Sequence, residues 1–365
     1  MAQPTLGVMA LYMNEKKQLE ELRYFRRLLT EGERMGLNIF LFTPEDVDHA
    51  SKRAYALFYN VKNARWERKW TPLPQMIFDR CRFQRSPRFK KLREFRALYP
   101  DLLYLNRPLA NKWIIYNVLK ENAKIRPHLP ETLLIENSKQ LFQFLRRHPI
   151  SFLKPTNGTG GRGILKIQAL PGLRYRIEGR DLKRRIIVPK TLTPVKLRAV
   201  LQKWRAGVPY IVQQGIDLKL KNGRVHDYRL LIQKNGQGEW EITGCAGRVG
   251  AKNSVTSNLH GGGRAVRADS LLKKWFSSSE VEQVKQKMNQ LGLAVVNELE
   301  RNYKQMCELA LDIAVDRNGQ PWLLETNPKP AREIFNRIGE KETYRKAIIR
   351  PLEYALWLYE NHKKK

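Results

Sequence analysis

Three cysteines in 365 residues, Cys81, Cys245 and Cys307, are too few and too scattered for a disulfide framework or a CxxC zinc site. Their odd number and wide spacing fit a reducing compartment. Long apolar runs are missing as well: no stretch approaches the ~18 residues of a membrane-spanning helix. The opening residues, Met1 to Asn14, carry no basic stretch ahead of an apolar core, so a secretory signal is not expected. Several catalytic signatures are also absent, among them HExxH, G-x-S-x-G, a Gly-Lys-Ser/Thr closing a phosphate loop, H-R-D and D-F-G. What remains is a soluble, folded protein expected in the cytoplasm. With 42% hydrophobic and 10% aromatic residues it is too apolar for a disordered basic tail, and its length allows two or three domains.

Acidic residues are scarce too. Asp and Glu number 35 against 68 Lys and Arg, a formal net charge of +33. Such a surplus attracts polyanions: nucleic acid, anionic headgroups, or an acidic polymer or protein. One basic cluster comprises Arg80, Arg82, Arg85, Arg88, Lys90, Lys91, Arg93 and Arg96. A second runs from Arg174 to Arg205, with Lys183, Arg184 and Arg185 inside it, and the chain ends Lys363-Lys364-Lys365. Solvated faces are the plain alternative for each. No helix-turn-helix, zinc finger or aromatic RNP strand accompanies the charge, so nucleic acid ranks last among the partners.

Residues 5–11 form an apolar run that predicts a strand, and Leu19, Leu22, Phe25, Leu28 and Leu29 follow at helical spacing up to Gly36. Asn38 to Phe42 and Gln75 to Asp79 read as further strands, giving the opening of a parallel α/β layer. Arg80 to Leu98 reads as a basic helix. Helices are also expected over Asn111–Asn122, Ser138–Arg147 and Ser279–Tyr303, and from about Lys341 onward. Beyond residue 150 short strands dominate, with Asn222-Gly223, Asn235-Gly236 and Asn318-Gly319 as hairpin signals. The expected fold is α/β and α+β, with an N-terminal α/β domain over 1–105 and α+β parts over 106–210 and 211–365.

Three motifs carry chemistry. Phe152 to Ile164 holds G-x-G-x-x-G at Gly158, Gly160 and Gly163, with Lys154 ahead of it. The alternating strand Ile164-Leu165-Lys166-Ile167 follows the glycines, which excludes a dinucleotide fingerprint, because that needs a helix there. Strand, glycine loop, strand is a flap whose N–H groups can close over phosphates; a plain Gly-rich hairpin is the alternative. Second, if Asn318-Gly319 is a two-residue turn, paired positions sum to 637, so Asp312 faces Glu325 and Asn327 shares that face. Ile313, Val315, Trp322 and Leu324 then take the core face. Directly opposed carboxylates repel, and these hard oxygen ligands suit Mg²⁺; an exposed acidic hairpin is the alternative. Third, Asp227-Tyr228-Arg229 places Asp227 and Arg229 on one strand face, and Arg248 lies on the next strand, where arginines suit phosphate or carboxylate.

In this order the pieces resemble the ATP-grasp superfamily, and most closely its endospore-coat-associated YheC/YheD type from spore-forming bacteria. The resemblance spans nearly the whole chain. It includes Asn111-Lys112-Trp113, Leu129-Pro130-Glu131-Thr132, Tyr210 to Gln214, His226 to Arg229, Thr256 to Leu259 and Glu325 to Pro330. It implies ATP between two antiparallel sheets behind an N-terminal pre-ATP-grasp domain. Lys112 and Lys154 would meet its phosphates, and the flap Asn157 to Gly163, with Gly158, Thr159, Gly160, Gly161, Arg162 and Gly163, would close over them. Gln213, Gln214, Gly215 and Ile216 would form the hinge at the adenine edge. Asp312, Glu325 and Asn327 would hold one or two Mg²⁺ ions. Arg229 and Arg248 would act on the γ-phosphate and the acyl substrate, with Asp227 and Asn258 on the substrate side. Two departures stand out: Ala310 where a glycine is common, and Gln213-Gln214 where an acid is frequent.

The resemblance implies an ATP- and Mg²⁺-dependent carboxylate–amine ligase acting on an amino acid, peptide or acidic polymer in sporulation, cytoplasmic or associated with the spore coat. The alternatives are a non-catalytic ATP-binding assembly protein of the coat and, last, a nucleic-acid-binding protein. For the basic clusters outside the phosphate site, Arg80 to Arg96 and Arg174 to Arg205, an acidic macromolecule or a spore-coat protein is the expected partner.

Overall fold

The computed structural model of the chain describes residues 3–82, 86–158, 160–205, 207–252 and 254–363, with the side chains of His260 and Lys363 outside that set. Thr159 of the flap, Arg85 of the first basic cluster and the final lysines Lys364 and Lys365 therefore lie outside the described residues. Among the described residues eighteen strands build three sheets.

The first sheet has seven strands: β1 (Thr5–Met9), β2 (Asn38–Phe42), β3 (Val47–Asp48), β4 (Arg53–Asn60), β5 (Arg65–Pro72), β6 (Met76–Asp79) and β7 (Leu103–Tyr104). Its centre is parallel, with β1 between β2 and β6. The near-continuous apolar sequences of β1, β2 and β6 suit strands covered on both faces. The helix Leu22–Arg34 buries Phe25, Leu28 and Leu29, and ends where Gly36 takes φ +81. The hairpin of β4 and β5 is absent from the sequence expectations. Its turn carries no glycine; Ala64 supplies the left-handed residue at φ +55.

The basic helix starts at Pro87, not at Arg80. Pro87 sits at a helix start, where its missing N–H costs nothing. Ahead of it Arg80 turns inward and is almost fully buried. Its guanidinium reaches Glu308 Oε1 at 2.7 Å and Glu21 Oε2 at 2.8 Å. Arg82 pairs with Glu20 and Glu21, Arg88 with Glu15 and Glu45, and Arg96 with Asp79. Much of the first basic cluster is thus neutralised within the protein, which weakens it as a surface for an acidic partner.

The second sheet holds β8 (Thr132–Leu134), β9 (Ile150–Pro155), β10 (Ile164–Leu170), β11 (Arg174–Arg180), β12 (Ile186–Leu192) and β13 (Tyr210–Gln214), in the order β12-β11-β10-β9-β13-β8. Helices Ser138–Arg147 and Pro194–Trp204 supply Leu141, Phe144, Leu145, Leu197 and Leu201 to its core. The third sheet holds β14 (His226–Lys234), β15 (Trp240–Val249), β16 (Arg264–Arg267), β17 (Glu308–Val315) and β18 (Pro321–Asn327), in the order β16-β15-β14-β17-β18. One face packs on the helix Ser278–Tyr303, which a Ser277/Glu280 capping box starts. The helix comes close because Gly292 has no side chain: a Cβ there would sit 2.7 Å from Leu230 Cδ2. Leu231, Ala246 and Ala310 on the other face join the core shared with the first sheet and the C-terminal helix Lys341–Lys363.

The Asn-Gly signals all mark turns, but each loop has three residues rather than two. Residues 220 and 224, 235 and 239, and 316 and 320 close the three loops through backbone hydrogen bonds, and Gly223, Gly238 and Gly319 take φ between +74 and +77. In the latter two, Asn235 and Asp316 accept loop N–H groups on their side chains. A three-residue loop ending in a left-handed glycine is the next most favoured hairpin connection.

Candidate active site between two antiparallel sheets

The cleft lies between the second and third sheets, and four charged residues on three adjacent strands form its floor. Asp227 and Arg229 alternate on β14 and so share a face. Asp227 pairs with Arg248 of β15, and Arg229 with Asp312 of β17. Arg248 grips Asp227 with two bonds, Nε to Oδ1 at 2.7 Å and Nη2 to Oδ2 at 2.6 Å, and also reaches Asp312 Oδ2 at 2.9 Å. Arg229 donates to both oxygens of Asp312 at 2.9–3.1 Å. Burial pushes the Asp312 carboxyl up, but Arg229 and Arg248 outweigh it and hold the group below the usual carboxylate range.

Asp312 does stand opposite Glu325, by a different route from the one expected. The three-residue loop sets the pairs Val315–Pro321, Ala314–Trp322 and Ile313–Leu323, and a bulge then shifts the register by one to give Asp312–Glu325 and Ala310–Asn327. The core face of β18 is therefore Pro321 and Leu323, not Trp322 and Leu324. Trp322 instead donates its indole N–H to Asp316 at 2.9 Å.

Two lysines approach this floor from the second sheet's side. Asn111 caps the helix Lys112–Lys120 by accepting the N–H groups of Trp113 and Ile114. Lys112 Nζ then lies 3.2 Å from Glu325 Oε1 and donates to the Gly158 carbonyl at 2.6 Å, tying the floor to the flap. Lys154, on β9, donates to Gln213 Oε1 at 2.5 Å. Burial pushes its ammonium down to about 8; Glu325 and Asp312 pull it back up, and Lys112 adds to the depression. The Gln213 amide also donates to Thr132 Oγ1, so its side chain joins Lys154 to β8. Gln214 accepts the Glu131 N–H, and the Gly215 N–H bonds the Ile150 carbonyl so closely that a Cβ would lie 2.8 Å from that oxygen. β13 ends at Gln214, and Ile216 lies beyond it.

The flap needs its glycines. Gly160, Gly161 and Gly163 take φ +67, +74 and +68, a region costly for other residues. Gly161 packs against Asn258 of the third sheet's side, where a Cβ would meet Nδ2 at 2.6 Å. Gly158, in contrast, has no positive φ. Arg162 is exposed at the flap. Thr132, named in the sequence only as part of the resemblance, sits behind Gln213; a cross-strand pair such as Gln213–Thr132 has no local signature.

With this geometry in place, the family model described as YheC/D like ATP-grasp matches residues 101–358. The chain belongs to the YheC/D-like ATP-grasp family. It is 28% identical to the endospore coat-associated protein YheC of Bacillus subtilis, over 99% of this chain and 98% of that protein. It is 25% identical to YheD of the same organism, over 92% of this chain and 74% of that one. Among solved structures, D-alanyl-alanine synthetase A from Vibrio cholerae superposes with a TM-score of 0.57 at 10% identity, over 99% and 98% of the two chains. That likeness shows the ATP-grasp fold. No helix among the described residues is long and apolar enough to cross a membrane.

The ATP-grasp residues also fit a divalent ion and phosphates. Asn327 Nδ2 is buried without a hydrogen-bond partner among the described residues. Amide ends are assigned from their surroundings, so the amide can equally turn its oxygen to that spot. With Asp312 and Glu325 this makes a set of hard oxygen donors of the kind Mg²⁺ takes. Among the described residues no three His, Cys, Asp or Glu side chains converge, so the set depends on Asn327.

Proposed function

We propose that the protein is an ATP- and Mg²⁺-dependent ligase that joins a carboxylate to an amine. Its substrate would be an amino acid, a peptide or an acidic polymer in spore-coat formation. The observation that carries this reading is the Asp312–Glu325 pair, set among Arg229, Arg248, Lys112 and Lys154 at the foot of a glycine flap. A merely structural hairpin gains nothing from two facing carboxylates.

In this reading Asp312, Glu325 and Asn327 hold Mg²⁺, which neutralises phosphate charge when bound. Lys112 and Lys154 bind the phosphates, and the flap Asn157–Gly163, including Thr159 and Arg162, closes over them. Gln213, Gln214, Gly215 and Ile216 line the adenine edge. Arg229 and Arg248 stabilise the transferring phosphoryl group and orient the acyl substrate, with Asp227 fixing Arg248 and Asn258 bordering the substrate. The substrate carboxylate attacks the terminal phosphorus, the bond to the bridging oxygen breaks, and ADP leaves. An amine nitrogen then attacks the acyl carbon, the C–O bond to phosphate breaks, phosphate departs, and the amine gives up a proton to solvent. The names of the relatives motivate the spore-coat role.

One observation favours a second reading, an ATP-binding assembly protein without turnover: Arg229 and Arg248 already occupy both oxygens of Asp312. Incubating the protein with ATP, Mg²⁺ and a panel of amino acids and peptides, with mass spectrometry of the products, separates the two. Ligase action gives ADP, phosphate and an amide in the wild type and none of these in Glu325→Ala. ATP bound but unconsumed across the panel would favour the assembly reading.

A further inference from the structure

The second sheet carries positive charge that the ligase chemistry does not use. Within the Arg174–Arg205 run some side chains are answered locally, as Arg185 is by Asp181 at 2.6 Å. Arg184 is not. Its guanidinium lies against the flap, where a Cβ on Gly160 would sit 2.5 Å from Nη2. Its Nε is buried and has no hydrogen-bond partner among the described residues, and no ion pair there includes Arg184 or Arg162. Arg180, on the last position of β11, donates among the described residues to the carbonyls of Gly261 at 2.9 Å and Arg184 at 3.3 Å. It therefore bridges the flap's sheet to the loop that follows Asn258.

Three guanidiniums thus gather at the flap, and among the described residues the one carboxylate that acts on Arg184 is Glu20. The groups acting on Arg184 are Arg162, Arg180 and Glu20 of the N-terminal unit, not the lysines and carboxylates of the cleft floor. Burial, then Arg162, pushes its charge toward the neutral form. Glu20 is itself engaged, 2.9 Å from Arg82. Arg184 also holds φ +67, a conformation that non-glycine residues seldom adopt. Like charges crowded at a cleft mouth are unfavourable alone and become favourable against an anion. Phosphates already have Lys112, Lys154, Arg229 and Arg248 on the floor and Arg162 on the flap, which leaves Arg180 and Arg184 for a different anion.

We propose that Arg180 and Arg184, with Arg162 beside them, form the entry site for an acidic peptide, holding carboxylates that flank the group to be ligated. The proposal rests on the ligase reading for its direction, since it names the substrate class of that cleft. It replaces the first basic cluster, in which Arg80, Arg82, Arg88 and Arg96 are internally paired, as the place where an acidic partner docks.

The test is calorimetric titration of the full chain with hexaglutamate and with hexaglutamine, each with and without Mg²⁺ and ADP. Hexaglutamate should bind and hexaglutamine should be weaker by about tenfold or more, the worth of one charge-assisted hydrogen bond. Arg184→Gln should weaken hexaglutamate by about tenfold on the same basis, and Arg184→Lys should recover part of the loss. Gln meets the same backbone cost as Arg at φ +67, and the Arg184 Nε has no hydrogen-bond partner among the described residues, so the fold should survive; unchanged thermal unfolding checks this. Lys190→Gln removes one exposed charge from the same subdomain and should leave hexaglutamate binding unchanged. ADP affinity should be the same in Arg184→Gln and wild type. Equal binding of the two peptides, an equal loss in Lys190→Gln, or an ADP loss matching the peptide loss would each overturn the proposal. If the wild type bound no ADP at all, the ligase reading would fail, while the titrations without nucleotide would still decide the entry site.

Discussion

At the seam between the first and third sheets, Glu308 is fully buried and both its oxygens are taken, by Arg80 and Arg332, with Gln233 donating as well. Nearby, Asp79 is equally buried and held by Arg96 and Lys329. In the cleft Asp312 is gripped as firmly, yet its neighbours differ: Glu325 and Lys112 keep 28% and 22% of their side-chain exposure. Lys154 is pushed down to about 8, and the Asn327 amide end has no partner among the described residues. Both clusters are made of the same residue types. The seam is closed and joins two units; the cleft faces outward and keeps polar ends available. Buried charge by itself is weak evidence of function, and what separates the two is which groups remain reachable.

Removing a carboxylate from each cluster is the sharpest way to break that comparison. Glu308→Ala strands Arg80 and Arg332 in the interior and should cost about 3–5 kcal/mol of stability, read by urea unfolding. Glu325→Ala should leave the unfolding midpoint nearly unchanged, because its partner Lys112 reaches water. Equal destabilisation of the two would erase the distinction. A smaller effect is expected at the flap. Gly161→Ala forces a Cβ into left-handed backbone against Asn258 and should cost about 1–2 kcal/mol locally. This appears as roughly tenfold weaker ADP binding with little change in global unfolding.

The mildest effect is one of pH. Lys154 titrates near 8, below its ordinary 10.5, because burial disfavours its charged form. Below 8 it is protonated and attracts phosphate; above 8 it becomes neutral and the attraction fades. ADP affinity should therefore fall as pH rises through 8, with protons taken up on binding at that pH. In Lys154→Met the affinity should be lower below pH 8, approach that of the wild type above it, and lose this slope. A slope that persisted in the variant would place the titrating group elsewhere.

The parallel centre of the first sheet was legible because runs such as Asn38–Phe42 are apolar without alternation. The Asp227–Arg229 face was legible because strand periodicity is strict. The Asp312–Glu325 pairing was reached through two errors that cancel: a loop longer by one residue and a bulge of one residue. They cancel only beyond the bulge, which is why Leu323 rather than Leu324 fills the core. Loop length is poorly encoded by an Asn-Gly pair when the glycine can end a three-residue loop, and bulges leave little local trace. The pairing of Arg80 with Glu308, 228 positions apart, had no sequence signal at all, so a buried joint read as a surface helix. Lys154 was recognisable from its place ahead of the glycines, but its partner Gln213 becomes visible only once β9 and β13 lie side by side.

The measurement that most directly tests the cleft as a metal–phosphate site is ADP binding with and without Mg²⁺, in the wild type and in Glu325→Ala. Mg²⁺ should strengthen ADP binding in the wild type by about tenfold or more, as expected of a cation bridging carboxylates and phosphates. Glu325→Ala should retain weak ADP binding through Lys112 and Lys154 but lose the dependence on Mg²⁺. Wild-type binding indifferent to Mg²⁺, or full Mg²⁺ dependence retained in Glu325→Ala, would contradict the assignment.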